Sequence, residues 1–229
     1  QLMVVRLSTI NANKTVTFFD SLVTELVKKY NVGGVCLFQG SPVKQANILN
    51  NLQALAKTPI MMCIDAENGI GMRMIDSVLP LPRQMMMGAV QDSSIIYQYG
   101  RIVAEQLKRA GVQVNYAPVV DVNNNPANPV INDRSFGEDK YKVASFGIQY
   151  MKGMQDNGVM ACAKHFPGHG DTSVDSHLEL PLVEHPLERL RGVEFVPFRA
   201  AIAAGVSAVM TAHVLVPTID EQRPATLSP

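Results

Sequence analysis

Short, almost unbroken apolar runs punctuate the chain, and longer amphipathic stretches alternate with them. Strands buried on both faces read this way, because a parallel sheet covered by helices leaves no strand face for polar residues. The runs predict strands at about Met3–Leu7, Val32–Phe38, Ile60–Ala66, Val112–Pro118, Val159–His165 and Ala208–Val214. Helical spacing covers Thr15–Tyr30, where Val16, Phe19, Leu22, Val23, Leu26 and Val27 share one stripe, and recurs over Asp92–Ala110 and Glu138–Asn157. Asp92 and Asp139 stand near helix starts, where a carboxylate caps free N–H groups and meets the positive end of the dipole. Gly33, Gly111 and Gly158 stand where helices should stop, as C′ glycines would. No linker or low-complexity tract interrupts this rhythm, so residues 1–229 are read as one α/β domain of repeated βα units.

Composition removes several alternatives. A chain of 229 residues with 47% hydrophobic side chains is not disordered, and its 20 basic and 20 acidic groups cancel. Without a run of Lys or Arg there is no footprint for nucleic acid or an anionic membrane surface. No apolar stretch reaches the roughly 18–20 residues that span a bilayer, so no membrane span is expected. The chain opens on Gln1-Leu2-Met3-Val4-Val5 without a charged segment, apolar stretch and cleavage site, and an opening inside an apolar run suggests trimmed upstream residues. Cys36, Cys63 and Cys162 each sit in an apolar run without Cys-x-x-Cys spacing, which favours buried small hydrophobes over a reactive or metal-bound thiol.

Ionisable residues recur at or just beyond the predicted strand ends: Asp65 and Glu67, Asp121 and then Arg134, Lys164 and His165, and His213. In a (β/α)₈ barrel all those ends surround one mouth, whereas an open doubly wound sheet gathers its site at one switch point. Two long irregular stretches, Asp121–Gly137 and Phe166–Pro186, follow predicted strands at that same end, where loops tend to be functional. The stretch from Lys164 to His177 packs three His, two Asp and one Lys into fourteen residues. A metal could take His165, His169, Asp171 and His177, but Pro167, Gly168 and Gly170 forbid a regular helix and Lys164 would repel a cation. Proton transfer is the other chemistry: in Asp175-Ser176-His177 the carboxylate can hold one ring nitrogen and bias the other toward acid/base work, although a plain loop hydrogen bond would use the same pattern.

The run KHFPGHGDTSVDSHLELP, from Lys164 to Pro181, closely resembles the signature of family 3 glycoside hydrolases of the bacterial β-N-acetylglucosaminidase branch. Further segments match in order: Ile64–Gly69 resembles the family's Asp-x-Glu-Gly-Gly segment, Asn115–Asp121 its fourth strand and Asp133–Gly137 its arginine loop, with later likenesses at Phe195–Phe198 and Met210–His213. Asn68 departs from the family's usual glycine, which alters a turn rather than the chemistry. The resemblance implies a (β/α)₈ TIM-type barrel. It makes His177 the general acid/base with Asp175 as its dyad partner, and it makes Asp65, Arg134, Lys164 and His165, with Arg73 as an addition, binders of the terminal sugar. His169 and Asp171 would shape the loop. It implies no metal or organic cofactor and a carbohydrate partner, with removal of non-reducing β-linked N-acetylglucosamine, from peptidoglycan fragments, by a retaining mechanism.

Six predicted strands reach residue 214 at about 35 residues per unit, so eight would need about 280. The expectation is therefore about six βα units with the C-terminal part of the barrel missing; the family resemblance implies a nucleophilic aspartate at the end of the following strand, beyond this chain. Asp220, in a Pro-bounded loop, does not resemble the nucleophile segment. Two other activities stay open: a phosphorylase, since a histidine acid/base repels phosphate less than a carboxylate does, and a non-catalytic sugar-binding fragment. Compartment stays open between bacterial cytoplasm and periplasm, with three unpaired-looking cysteines leaning toward a reducing setting.

Overall fold

A computed structural model of the chain describes residues 1–74, 78–174 and 180–229. The chain opens with β1 (Val4–Arg6) and a hairpin of β2 (Ser8–Ile10) and β3 (Val16–Phe18). It then alternates through α1 (Asp20–Tyr30), β4 (Gly34–Leu37), α2 (Pro42–Leu55), β5 (Met61–Ile64), α3 (Gln84–Gly88), α4 (Ser94–Arg109) and β6 (Val114–Asn115). The remainder is α5 (Lys140–Gln155), β7 (Met160–Phe166), α6 (Leu187–Gly192), α7 (Phe195–Ala203) and β8 (Ala208–Thr211).

The main sheet runs β1-β4-β5-β6-β7-β8, and every neighbouring pair is parallel. Strand order follows chain order without reversal, which excludes the doubly wound arrangement and its switch point. The sheet curls into a half-barrel of six strands, so the six predicted strands are all present, five of them shorter than predicted and β7 of the predicted length but shifted by one residue.

Alternation along each strand separates two faces. Val35, Leu37, Met62, Ile64, Ala161 and Ala163 join the main core with Val23 and Val27 of α1, Val103 of α4 and Val143 of α5. Cys36, Cys63 and Val114 cluster on the opposite face, beside Phe38 and Tyr116. All three cysteines are free and buried, and burial pushes the Cys36 thiol up to about 12 and the Cys162 thiol to about 11. Thiols so hard to ionise act as small hydrophobes, as the sequence predicts.

Three local expectations are corrected. Thr15–Tyr30 is not one helix, because Val16–Phe18 pairs antiparallel with Ser8–Ile10 and the helix begins at Asp20. Thr15-Val16-Thr17 is β-branched throughout, and the Asn13 side chain accepts from the Thr15 N–H at 3.2 Å to shape the connecting turn. Gly33 does not terminate α1; Asn31 takes the left-handed position at φ 51°, whereas Gly111 (φ 73°) and Gly158 (φ 82°) behave as predicted. Helix α2 has no counterpart among the predicted helices, since its Asn and Gln residues blur the apolar stripe, although Pro42 suits its first turn.

Helices α4 and α5 touch backbone to backbone. A Cβ on Gly100 would stand 2.3 Å from the Tyr150 carbonyl oxygen, and one on Gly153 would stand 2.2 Å from that of Tyr97. This contact seats Tyr150, whose hydroxyl donates to the Glu67 carbonyl at 2.7 Å and so reaches the strand-end residues. Gly100→Ala should therefore destabilise the fold by roughly 1–3 kcal/mol despite alanine's better helix propensity, read as a lower urea midpoint with an unchanged slope.

Candidate active site

Asp65 and Glu67 lie just past the end of β5, and Lys164 and His165 lie in β7, one strand beyond their neighbour β6. Lys164 crosses that gap: its ammonium stands 2.5 Å from Asp65 Oδ1 and 2.7 Å from Glu67 Oε1, with the side chain only 1% exposed. Burial alone would lower the Lys164 pKa, but the two carboxylates overcome it and hold it above its ordinary value. Arg134, from the short turn Asn132–Arg134, lays its fork on Glu67, Nη2 to Oε1 at 2.6 Å and Nε to Oε2 at 2.9 Å. Burial would raise the Glu67 pKa, yet Lys164 and Arg134 hold its carboxyl well below the usual carboxylate range.

Arg73 follows the turn Ile70–Met72 and joins from the other side. Its Nη2 donates to Asp65 Oδ2 at 2.9 Å, its Nε donates to the Asp65 carbonyl, and its guanidinium lies over the Phe38 ring. His165 completes the set, with Nδ1 2.7 Å from Asp121 Oδ2 and Nε2 3.4 Å from Arg134 Nη2. A carboxylate on one side and an obligate donor on the other place the ring proton on Nδ1. All five residues that the family resemblance marks for sugar binding thus share one network.

Asp121 is the buried hub between the two long loops. It accepts from the backbone N–H of His165 at 3.1 Å and of His169 at 2.7 Å, while its own carbonyl accepts from the Ser135 hydroxyl at 2.6 Å. Burial would raise its pKa, but His165 and the His169 N–H keep it lowered. Asn128 donates to the His169 carbonyl at 2.8 Å and Asn125 to that of Thr172 at 3.2 Å, so the 121–137 loop carries the start of the 166–186 loop. His169 Nδ1 sits 2.6 Å from the Thr172 hydroxyl, and burial lowers its pKa.

Asp175 and His177 lie outside the described residues. Among the described ones, His165, His169 and Asp171 do not gather as a three-ligand metal group, because Asp121, Thr172 and His185 respectively engage them. His213, at the end of β8, is exposed and meets Thr226 Oγ1 at 2.8 Å, apart from the network. In the sequence Glu67 and Asp121 stand as strand-end charges within segments that resemble the family, without an assigned role. Their roles as the partner of two cations and as the loop hub arise from register and loop closure.

Chemically, the site offers graded access. Lys164 and Glu67 are sealed, while Asp65 (21% exposed) and Arg134 (24%) keep part of their polar edges toward solvent. That is an acceptor and a donor fork held rigidly side by side, which suits a polyhydroxylated ligand.

Residues 1–229 match the family described as glycosyl hydrolase family 3 N terminal domain. A beta-hexosaminidase of Thiobacillus denitrificans is 36% identical over 83% of this chain and 55% of its own length. A family 3 β-N-acetylglucosaminidase from Paenibacillus superposes with a TM-score of 0.89 at 41% identity, covering 100% of this chain and 44% of that one. NagZ of Neisseria gonorrhoeae, in complex with N-trifluoroacetyl-D-glucosamine, superposes at 0.84 with 28% identity, covering 98% of this chain and 67% of that one. The chain spans about half the length of the curated relatives it matches, from 38% to 61%. With its in-order parallel barrel strands, its strand-end charge network and a match along all 229 residues, this chain belongs to glycosyl hydrolase family 3, to its N-terminal domain.

Proposed function

We propose that this polypeptide forms the barrel part of a β-N-acetylhexosaminidase that removes non-reducing terminal β-linked N-acetylglucosamine, with peptidoglycan fragments as its substrate class. The carrying observation is the Asp65–Lys164–Glu67–Arg134 network with Arg73 and His165 beside it, built where barrel enzymes hold substrate. The names of the relatives and the N-acyl glucosamine bound to the Neisseria protein support the choice of sugar.

In this reading Asp65 accepts from neighbouring sugar hydroxyls and Arg134 donates to them, while the sealed Lys164, which the resemblance marks for sugar binding, acts by fixing the Asp65 carboxylate. His165, its Nδ1 proton held by Asp121, steadies the Arg134 fork through Nε2 at 3.4 Å. His177, with Asp175 holding its second ring nitrogen, supplies the proton. In the first step the imidazolium protonates the glycosidic oxygen as the C1–O bond breaks and an aspartate, supplied from beyond residue 229, bonds to C1. In the second, neutral His177 takes a proton from water as the water oxygen attacks C1 and releases the aspartate. Histidine, whose unperturbed pKa is about 6.5, is the side chain type that can serve both steps near neutral pH, which departs from the usual pair of carboxylates.

The full polypeptide should release N-acetylglucosamine from an aryl β-N-acetylglucosaminide with retained anomeric configuration. His177→Ala should lower kcat by about 10²–10⁴-fold while leaving the urea midpoint in place. Sugar 1-phosphate forming faster than free sugar in phosphate buffer would replace the hydrolase by a phosphorylase, and no turnover at all would leave a sugar-binding protein. Glu67→Gln should destabilise the fold by about 3–5 kcal/mol at neutral pH, because Lys164 and Arg134 would lose their shared carboxylate. Since the folded pKa of Glu67 is depressed, its contribution is complete above the unfolded value of about 4.3 and fades as pH falls through the folded value. The gap between wild type and variant in urea unfolding should therefore narrow only below about pH 4.

A further inference from the structure

We infer that Asp171, His185 and Glu194 form a zinc-binding site at the base of the 166–186 loop. Among the described residues these three bring one ligand atom each to within 4.8 Å of one another. His185 Nε2 already bonds Asp171 Oδ2, and the Thr218 hydroxyl holds the His185 carbonyl at 2.8 Å. Glu194 directly precedes α7 and is 3% exposed.

A second, independent observation is an unmet electrostatic demand. Glu194 Oε1 accepts from Arg189 Nη1 at 2.6 Å and from Asn124 Nδ2 at 3.0 Å, but the buried Oε2 has no partner among the described residues, nor has Asn124 Oδ1 beside it. Buried acceptors in this state point to a bound ion or water. One arginine against Asp171 and Glu194 leaves a net single negative charge when His185 is neutral, which a water cannot offset and a divalent cation can. One imidazole and two carboxylates form a mixed nitrogen and oxygen set that suits zinc, whereas calcium or magnesium would ask for oxygens alone. Three protein ligands leave room for a water or for Asn124 as the fourth.

The consequence lies in the chain path. Asp171 and His185 bracket the segment that contains Asp175 and His177, so one ion would tie both ends of that segment to the start of α7. This consequence for catalysis rests on the proposed acid/base role of the dyad; the metal site does not.

Equilibrium dialysis of the full polypeptide against zinc chloride, with metal counted by mass spectrometry, tests the site without using activity. One zinc per chain is expected, with nitrogen and oxygen neighbours at about 2.0–2.2 Å and no sulfur in X-ray absorption. His185→Ala and the isosteric Glu194→Gln should each weaken binding at least tenfold while circular dichroism stays native. Absence of stoichiometric zinc, a sulfur neighbour, or undiminished binding in both folded variants would overturn the site. Binding lost in His177→Ala but kept in His185→Ala would overturn it as well, by placing the ion on the dyad. Hydrolysis that persists while zinc binding fails would remove the metal and leave the proposed activity standing.

Discussion

A lysine ammonium taken out of water is tolerable only against anionic partners, and Lys164 meets two of them. Its ammonium joins β7 to the residues after β5 across the intervening strand, and each carboxylate it touches is held in turn by an arginine. The arrangement balances: Asp65, Glu67 and Asp121 supply three negative charges, and Lys164, Arg73 and Arg134 supply three positive ones. Removing any single charge leaves its partners buried and uncompensated, which costs far more than an exposed ion pair is worth. His165 borders this set, its Nδ1 on Asp121 and its Nε2 facing Arg134.

The same network explains why the ends of distant elements share one geometry. Tyr150 of α5 holds the Glu67 carbonyl, and α5 can sit where it does because Gly100 and Gly153 let it press against α4. Helix packing on the outside of the sheet is thereby coupled to charge placement at its rim. Asp121 does for the loops what Lys164 does for the strands, taking the N–H groups of His165 and His169 while its carbonyl secures Ser135. Sheet, helices and loops thus converge on two buried ionic centres, linked by the neighbouring residues Lys164 and His165 of β7.

How much of this was legible in the sequence follows from the range of each interaction. The six strands were legible, because burial on both faces writes itself into runs of consecutive apolar residues. So was the gathering of Asp65, Lys164, His165 and Arg134, since strand ends in a parallel barrel meet whatever the details of register. The hairpin at Ser8–Phe18 was not, as β-branched residues that also fit a helical stripe are decided by cross-strand pairing rather than by period. Helix α2 was hidden by its asparagines. Glu67 showed as a strand-end charge within a family-like segment but without a partner, and its hold on Arg134 depends on how the turn at Asn132–Arg134 folds back over 67 residues of chain. His213 illustrates the converse: it occupies the predicted strand end, yet β8 delivers it to solvent and Thr226 rather than to the network.

Buried and half-exposed charges divide the work of such a site. Lys164 and Glu67 cannot reorient without exposing an unpaired charge to apolar surroundings, so they act as fixed supports. Asp65 and Arg134, each anchored by a sealed partner, keep an edge toward solvent whose direction is already set before any ligand arrives. Any hydroxylated ligand meeting such an edge would replace water without the cost of side-chain ordering, which is the physical meaning of preorganisation. In the proposed function, selectivity for a polyhydroxylated ring rests on the spacing of a fixed acceptor and a fixed donor fork, and that spacing is set by the strand register that brings Lys164 over Asp65 and Glu67.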